Sequence, residues 1–402
     1  MEDDNQRIVV SGVGVVSPFG VGKEPFWQGL KQGISAIKPI NSFGTENYNA
    51  KLGGQIPEFN YPEILGESNL RNLDRLTIIG LCATKNALAD AGLNANEGNA
   101  GDIGIVIGSA MGSIRSISNF DKQAIIQGPR SIEPGQCPNV VICSPASQIS
   151  IKFKIKGFTA TITAGIDSSF EALAYSIRLL KSGSVKYILC GAVEELSEQL
   201  YKGLYKLKLL SGSKNEGKEI NAPFDKRRNG LVLGEGGGVF LLESLKSARE
   251  RRVKNIYAEV SGFYSTELNR DSAKEILKTI TRETDFISLG GNSSQSRDKI
   301  EASFIENMFD RVDSLPRASA IKSLIGESFS SGGFFQMLAA IFCMQNGYIF
   351  PTAGYEVADA KCSSVERFLT KVGLSYPVKR ALVLNAGFNK RSHFVTLDRV
   401  DC

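Results

Sequence analysis

Apolar residues recur in two alternating rhythms along this chain. Short β-branched runs rich in glycine, Ile8 to Val16, Asp102 to Ile107, Tyr187 to Cys190 and Val239 to Leu242, read as strands in the first part of the sequence. Tyr257 to Ser261, Phe286 to Leu289, Ala381 to Leu384 and His393 to Leu397 read as strands in the second part. Between them, Asp74 to Ala91 carries apolar residues at helical spacing and meets Gly92, a C-terminal capping residue. Near-continuous apolar strands alternating with helices predict an α/β protein with strands buried on both faces.

Two segments share one design. Ala160 to Thr163 reads as a strand that turns through Ala164-Gly165-Ile166-Asp167 into a helix burying Phe170, Leu173, Ala174, Ile177 and Leu180. Lys322 to Gly326 likewise runs through a Ser/Gly stretch into Phe334 to Met344, a helix so uniformly apolar that it must be covered on all sides. Two halves of this kind, residues 1–255 and 256–402, each with a central buried helix, would make a layered αβαβα domain.

Composition adds limits. The 402 residues are 42% hydrophobic and 22% charged, ordinary for a globular protein with a sizeable core. The longest apolar run, Phe334 to Met344, is too short to span a bilayer, and Met1-Glu2-Asp3-Asp4 lacks the features of a signal peptide, so the expectation is a cytoplasmic protein away from membranes. The seven cysteines form no Cys-x-x-Cys pair, which speaks against a zinc site or a disulfide framework and for small buried residues. No metal or cofactor is expected. A net charge of +5 without a long basic run does not imply nucleic acid and permits an acidic protein partner.

Arg7 to Gly20, Asn221-Ala-Pro-Phe-Asp225 followed by Gly230-Leu-Val-Leu-Gly-Glu-Gly236, Pro145 to Ile151 with Lys156-Gly157, and Asp298-Lys-Ile-Glu301 occur in an order that resembles the β-ketoacyl-acyl-carrier-protein synthases of the thiolase superfamily. The resemblance runs nearly end to end and implies a thiolase-like fold with two pseudo-repeated halves. Condensing members use a cysteine at a strand-to-helix turn and two histidines. A helix N-terminus favours the thiolate, the imidazoles donate to the developing enolate, and backbone N–H groups hold the thioester oxygen.

All three positions depart from that pattern. The Thr-Ala-Cys turn reads Thr163-Ala164-Gly165, the first histidine position falls on Gly290, and Lys-Ser-x-x-Gly-His reads Lys322-Ser-Leu-Ile-Gly-Glu327. The single histidine, His393, lies in the closing strand, and one imidazole cannot stand for two. Losing a covalent nucleophile removes the route itself. Ser168 and Ser169 are expected to cap the helix or lie on its surface, Asp167 to complement its dipole, and Cys143 to be a buried thiol near the family's dimer interface. Glu327 is either buried in an ion pair with Lys322 or a solvated carboxylate. By the resemblance, Lys322, Asp298 and Glu301 brace the site, and Phe388 opens the acyl-gating loop, which continues here as Asn389-Lys390 and should be stiffer.

The same resemblance implies a function. Synthase-like subunits without the cysteine are typical of the chain-length factor of type II polyketide synthases. Such a chain pairs with an active ketosynthase α subunit, receives substrate on an acyl carrier protein, and bounds the tunnel in which the product grows. Ile114, Ile117 and Phe120 correspond to tunnel-lining positions, or else form plain interface core. Two alternatives stay open: a divergent acyltransferase or thioesterase using a serine or Glu327, and a carrier-protein binding module using Lys202, Lys206 and Lys208.

Overall fold

The computed structural model describes residues 4–67, 70, 72–214, 218–267, 280–281, 283–309, 315–386 and 391–400. Ten strands follow one another across a single sheet, and their order is the same in each half. In the first half, Ile8–Ser17, Gly236–Ser244, Tyr187–Glu194, Ile103–Gly108 and Thr159–Ile162 lie side by side. In the second, Ala258–Glu267, Arg391–Asp398, Arg380–Ala386, Phe286–Ser288 and Arg317–Ser319 repeat that arrangement outward from the middle. Both halves pair their first three strands antiparallel and their outer strands parallel. They join where Ile8, Val9 and Val10 lie opposite Val260, Glu259 and Ala258.

The strands are apolar on both faces because each face meets a different helix layer. Phe240 and Leu242 enter the central core, whereas Val239 and Leu241 enter an outer one. Ala381 and Val383 likewise face inward, while Leu382 and Leu384 face the opposite outer core. This is the period-two alternation of a strand with helices on both sides. The outer layer of the first half is Arg75–Asp90, capped by Asp74 accepting from the Thr77 N–H, together with Ser144–Phe153. That of the second half is Gln295–Phe309 with Ser363–Glu366. The layers therefore run αβαβα, the thiolase-like order expected.

Between the two halves of the sheet lie the two central helices, Ser168–Lys181 and Gly332–Asn346. Gly332 through Met344 are all buried. The helices touch at Gly333, where an added Cβ would lie 2.3 Å from the Phe170 ring. Each helix follows a one-turn 3₁₀ segment, Gly165–Asp167 in one half and Phe329–Ser331 in the other, and the two segments meet. Gly165 has φ +60° and Phe329 φ +43°, so both halves turn sharply from strand to helix through left-handed backbone. The strand Arg317–Ser319 and the helix Gln295–Phe309 have weak signatures in the sequence: the first is three residues long, and the second mixes polar residues into its buried face.

Four cysteines, Cys82, Cys190, Cys343 and Cys362, are buried as expected, but Cys137 and Cys143 are exposed. Cys143 immediately precedes the helix Ser144–Phe153, on a surface that nothing among the described residues covers, and this corrects the expectation of a buried thiol. Among the described residues, no helix is long and apolar enough to cross a membrane.

Candidate functional site

The meeting of the two 3₁₀ segments brings together positions far apart in the sequence. Gly165 ends the approach from the edge strand; a Cβ placed there would meet nothing within 4 Å, so the turn opens onto free space. The turn that the resemblance assigns to the nucleophile carries a left-handed glycine here. Gly290 lies just beyond the strand Phe286–Ser288, and its N–H donates to Glu301 Oε1 at 2.7 Å. A Cβ on Gly290 would stand 3.5 Å from Asn385 Oδ1. Asn385 in turn donates to Asp167 Oδ1, two residues after Gly165.

Glu327 is 1% exposed and fully engaged. Its Oε2 accepts from Lys322 Nζ at 2.9 Å and from Asn292 Nδ2 at 2.7 Å, while Oε1 accepts from the Phe329 N–H at 2.9 Å. Burial raises its affinity for a proton, but Lys322, Arg297 and these hydrogen bonds outweigh burial and hold the carboxyl below its ordinary range. Of the two readings left open by the sequence, the buried ion pair is the one the fold adopts.

The bracing carboxylates are buried too. Asp298 accepts from the Phe224 N–H at 2.7 Å and the Asn292 N–H at 2.9 Å, and burial raises its pKa. Glu301 is pushed up to about 8 by burial, against the stabilising Gly290 N–H. The signature Asn221 to Asp225 ties this cluster together: Asn221 Nδ2 donates to the Lys322 and Ser323 carbonyls at 2.8 and 3.1 Å, and Phe224 reaches Asp298.

Asp167 turns inward instead of facing solvent at the helix start. It is 7% exposed, and burial lifts its pKa to about 6, opposed by Arg297 and the Asn385 hydrogen bond. Ser168 and Ser169 are also buried, not on the helix surface. Ser168 Oγ accepts from the Ala164 N–H at 3.0 Å and donates to the Gly165 carbonyl at 2.7 Å, a cap on the turn itself. His393 points into the same region from the closing strand. Its ring stacks on Phe170 with centroids 5.7 Å apart, and Nε2 lies 3.8 Å from both Asp167 Oδ2 and Glu171 Oε1. Neither ring nitrogen has a hydrogen-bond partner among the described residues, and burial, assisted by Arg391, lowers the pKa to about 4, so the ring is neutral at pH 7.

Ile114, Ile117 and Phe120 are half-buried on the helix Ile114–Gln127, which buries none of its residues within this chain. Phe388 lies outside the described residues. Lys202, Lys206 and Lys208 are exposed at and beyond the end of the helix Glu198–Lys206, with Lys202 paired to Glu198. Asn292, Asn385 and the orientation of His393 were not legible in the sequence; Asn385, directly following the apolar run Ala381 to Leu384, was the nearest available signal.

Curated relatives include 3-oxoacyl-[acyl-carrier-protein] synthase 2 of Synechocystis, 28% identical over 89% of this chain and 90% of the relative. The tetracenomycin polyketide synthase ketoacyl synthase alpha subunit of Streptomyces glaucescens is also 28% identical, over 95% of each chain. Among solved structures, the ishigamide ketosynthase/chain length factor superposes with a TM-score of 0.87 at 24% identity, covering 98% of this chain and 99% of its own. A type II PKS acyl-carrier protein complexed with its ketosynthase gives 0.86 at 24%, covering 98% of this chain and 99% of the matched one; at such identities the likeness speaks for the fold. The family models for the β-ketoacyl synthase N-terminal domain and C-terminal domain match residues 5–248 and 262–356, and with these the chain belongs to the β-ketoacyl synthase family.

Proposed function

We propose that this chain is a condensation-inert subunit that pairs with an active ketosynthase and sets the length of the acyl chain the partner builds, as a chain-length factor does. The observation that carries the reading is the state of the three catalytic positions. Gly165 and Gly290 offer no side chain, and Glu327 spends both oxygens on Lys322, Asn292 and the Phe329 N–H. An enolate would need donors to stabilise it, and the nearby Lys322 ammonium and Asn292 amide are already bound to Glu327. The serine-based alternative finds little support, since Ser168 serves as a turn cap and His393 makes no hydrogen bond to it.

The surface favours a partner. Thr159–Ile162 is an edge strand paired only to Ile103–Gly108 among the described residues. Phe158, just before it, and Ile151, on the helix packed against it, are 39% and 67% exposed, and Ile125, Ile126, Val141 and Ile142 are exposed elsewhere on the chain. Open strand edges and clustered apolar side chains are usually covered in the working assembly. Ala110 and Met111, which lead into Ile114–Gln127, pack in one cluster with Ile166 beside Gly165, so a partner seated over that helix would border the open turn. Lys202, Lys206 and Lys208, beside exposed Leu207 and Leu209, suit an acidic acyl carrier protein.

Co-expression with an active ketosynthase and size-exclusion chromatography should give a one-to-one complex that extends malonyl thioesters, with no carbon–carbon bond formation by this chain alone. In that complex Ile114→Trp should shorten the product. A homodimer that condenses malonyl thioesters unaided would sink the reading.

A further inference from the structure

The strand Tyr187–Glu194 ends in a carboxylate that the vacated catalytic positions do not involve. Glu194 is 1% exposed, and every hydrogen bond it accepts comes from another segment. Its Oε2 accepts from the Ala110 N–H at 2.9 Å and from Ser330 Oγ at 2.6 Å, while Oε1 accepts from the Met111 N–H at 3.2 Å. The next residue, Glu195, takes the Arg115 N–H at 3.2 Å, and the Arg115 guanidinium returns to the Leu196 carbonyl at 2.8 Å. Two consecutive buried carboxylates thus hold the start of the helix Ile114–Gln127, which has no buried residue of its own.

Glu194 also connects the walls of the open space at Gly165. Ser330 belongs to the 3₁₀ turn Phe329–Ser331, which receives Glu327 through the Phe329 N–H. Ala110 and Met111 pack in one apolar cluster with Phe329 and with Ile166, the neighbour of Gly165. One side chain therefore links the Phe329 turn to the segment leading to Ile114, beside Ile166.

We propose that Glu194 is a positioning residue for product length: by tying Ala110 and Met111 to Ser330, it fixes how far the wall carrying Met111, Ile114 and Ile117 stands from the catalytic turn. This rests on the chain-length reading above. A growing acyl chain is stopped by contact, so a small shift of that wall moves the stop. The Ser330 hydroxyl, which also lies 3.0 Å from the Val193 carbonyl, is the removable part of the link, the Ser330 backbone remaining near Glu194, whereas Glu194 also satisfies two buried N–H groups whose loss would unsettle the fold.

The test uses the reconstituted pair with malonyl-loaded acyl carrier protein, comparing wild type, Ser330→Ala, Glu194→Asp and, as a control on the tunnel, Ile114→Trp. The readouts are the ratio of product lengths, complex yield and total malonyl consumed. For Ser330→Ala the ratio of native length to the neighbouring length should fall about tenfold, the change a shift of ~1.4 kcal/mol produces, with complex yield and malonyl consumption unchanged. Glu194→Asp should shift the same ratio in any protein that folds. If Ile114→Trp changes the length while Ser330→Ala, in an intact pair, does not, the role of Glu194 is overturned and the chain-length reading stands. If no variant including Ile114→Trp alters the length, the chain-length reading fails and takes this inference with it.

Discussion

At the scale of single residues, the polar groups around Glu327 satisfy one another. A buried ion pair contributes little net stability because desolvation offsets the attraction, but removing one partner leaves the other charge stranded. Lys322→Met should therefore cost about 3–5 kcal/mol in denaturant unfolding, whereas Lys322→Met combined with Glu327→Leu should recover most of that loss. A double variant as unstable as the single one would show that the donors Glu327 satisfies at Asn292 and Phe329 matter more than the stranded charge. Glu301 has the opposite electrostatic character. Its folded-state pKa, about 8, lies above the ordinary value of 4.5, so the folded protein binds a proton that the unfolded chain has released. Its contribution is complete below that ordinary value and is lost as pH rises through about 8, at up to ~1.4 kcal/mol per pH unit. Asp167, near 6, and Glu194 and Glu195, each near 7, act in the same direction. Denaturation midpoints measured across this range should fall with rising pH, and Glu301→Gln should flatten the slope.

The element that organises everything else is the pair of central helices. Their close approach needs glycine at 333, because a Cβ there would lie 2.3 Å from the Phe170 ring and 2.4 Å from Ser169 Oγ. Gly333→Val should destabilise by roughly 1–3 kcal/mol or more through overpacking, and a thermal melt reads this directly. The same substitution would displace the Gly165 and Phe329 turns, so the loss should extend to pairing with the ketosynthase. The apolar periodicity of both helices was plain in the sequence, because a helix with no polar face has one solution, full enclosure. Ser168, Ser169 and Asp167 were harder to place. Residue types common at helix starts are usually solvated, and only the covering layer of Asn385 and His393 turns these inward.

For the whole molecule, the unanswered side is the edge strand Thr159–Ile162 and its apolar surroundings. Ile151, on the helix that flanks this strand, is 67% exposed and makes a discriminating probe. Ile151→Glu should leave the stability of the isolated chain within about 0.5 kcal/mol, as surface substitutions do. The same change should weaken pairing with the ketosynthase by at least about tenfold, the effect of a charge buried without a partner. Equal affinity by titration would place the partner elsewhere. Cys143, expected buried from the family's interface position, is exposed in the single chain, as the proposed pairing would require of a residue that a partner covers.

The sequence alone determined the layered α/β class, the position of the central helices and the absence of the cysteine and paired histidines that condensing relatives use. Periodicity reports local geometry, and the absence of a cysteine at 165 and of a second histidine anywhere holds for every conformation of the chain. Only the tertiary structure decided which polar groups meet. Asn385 with Asp167, Asn292 and Lys322 with Glu327, and Glu194 with Ser330 are joined by strand order and by the contact of two turns. No local repeat records those contacts, because they depend on how whole layers are registered against one another.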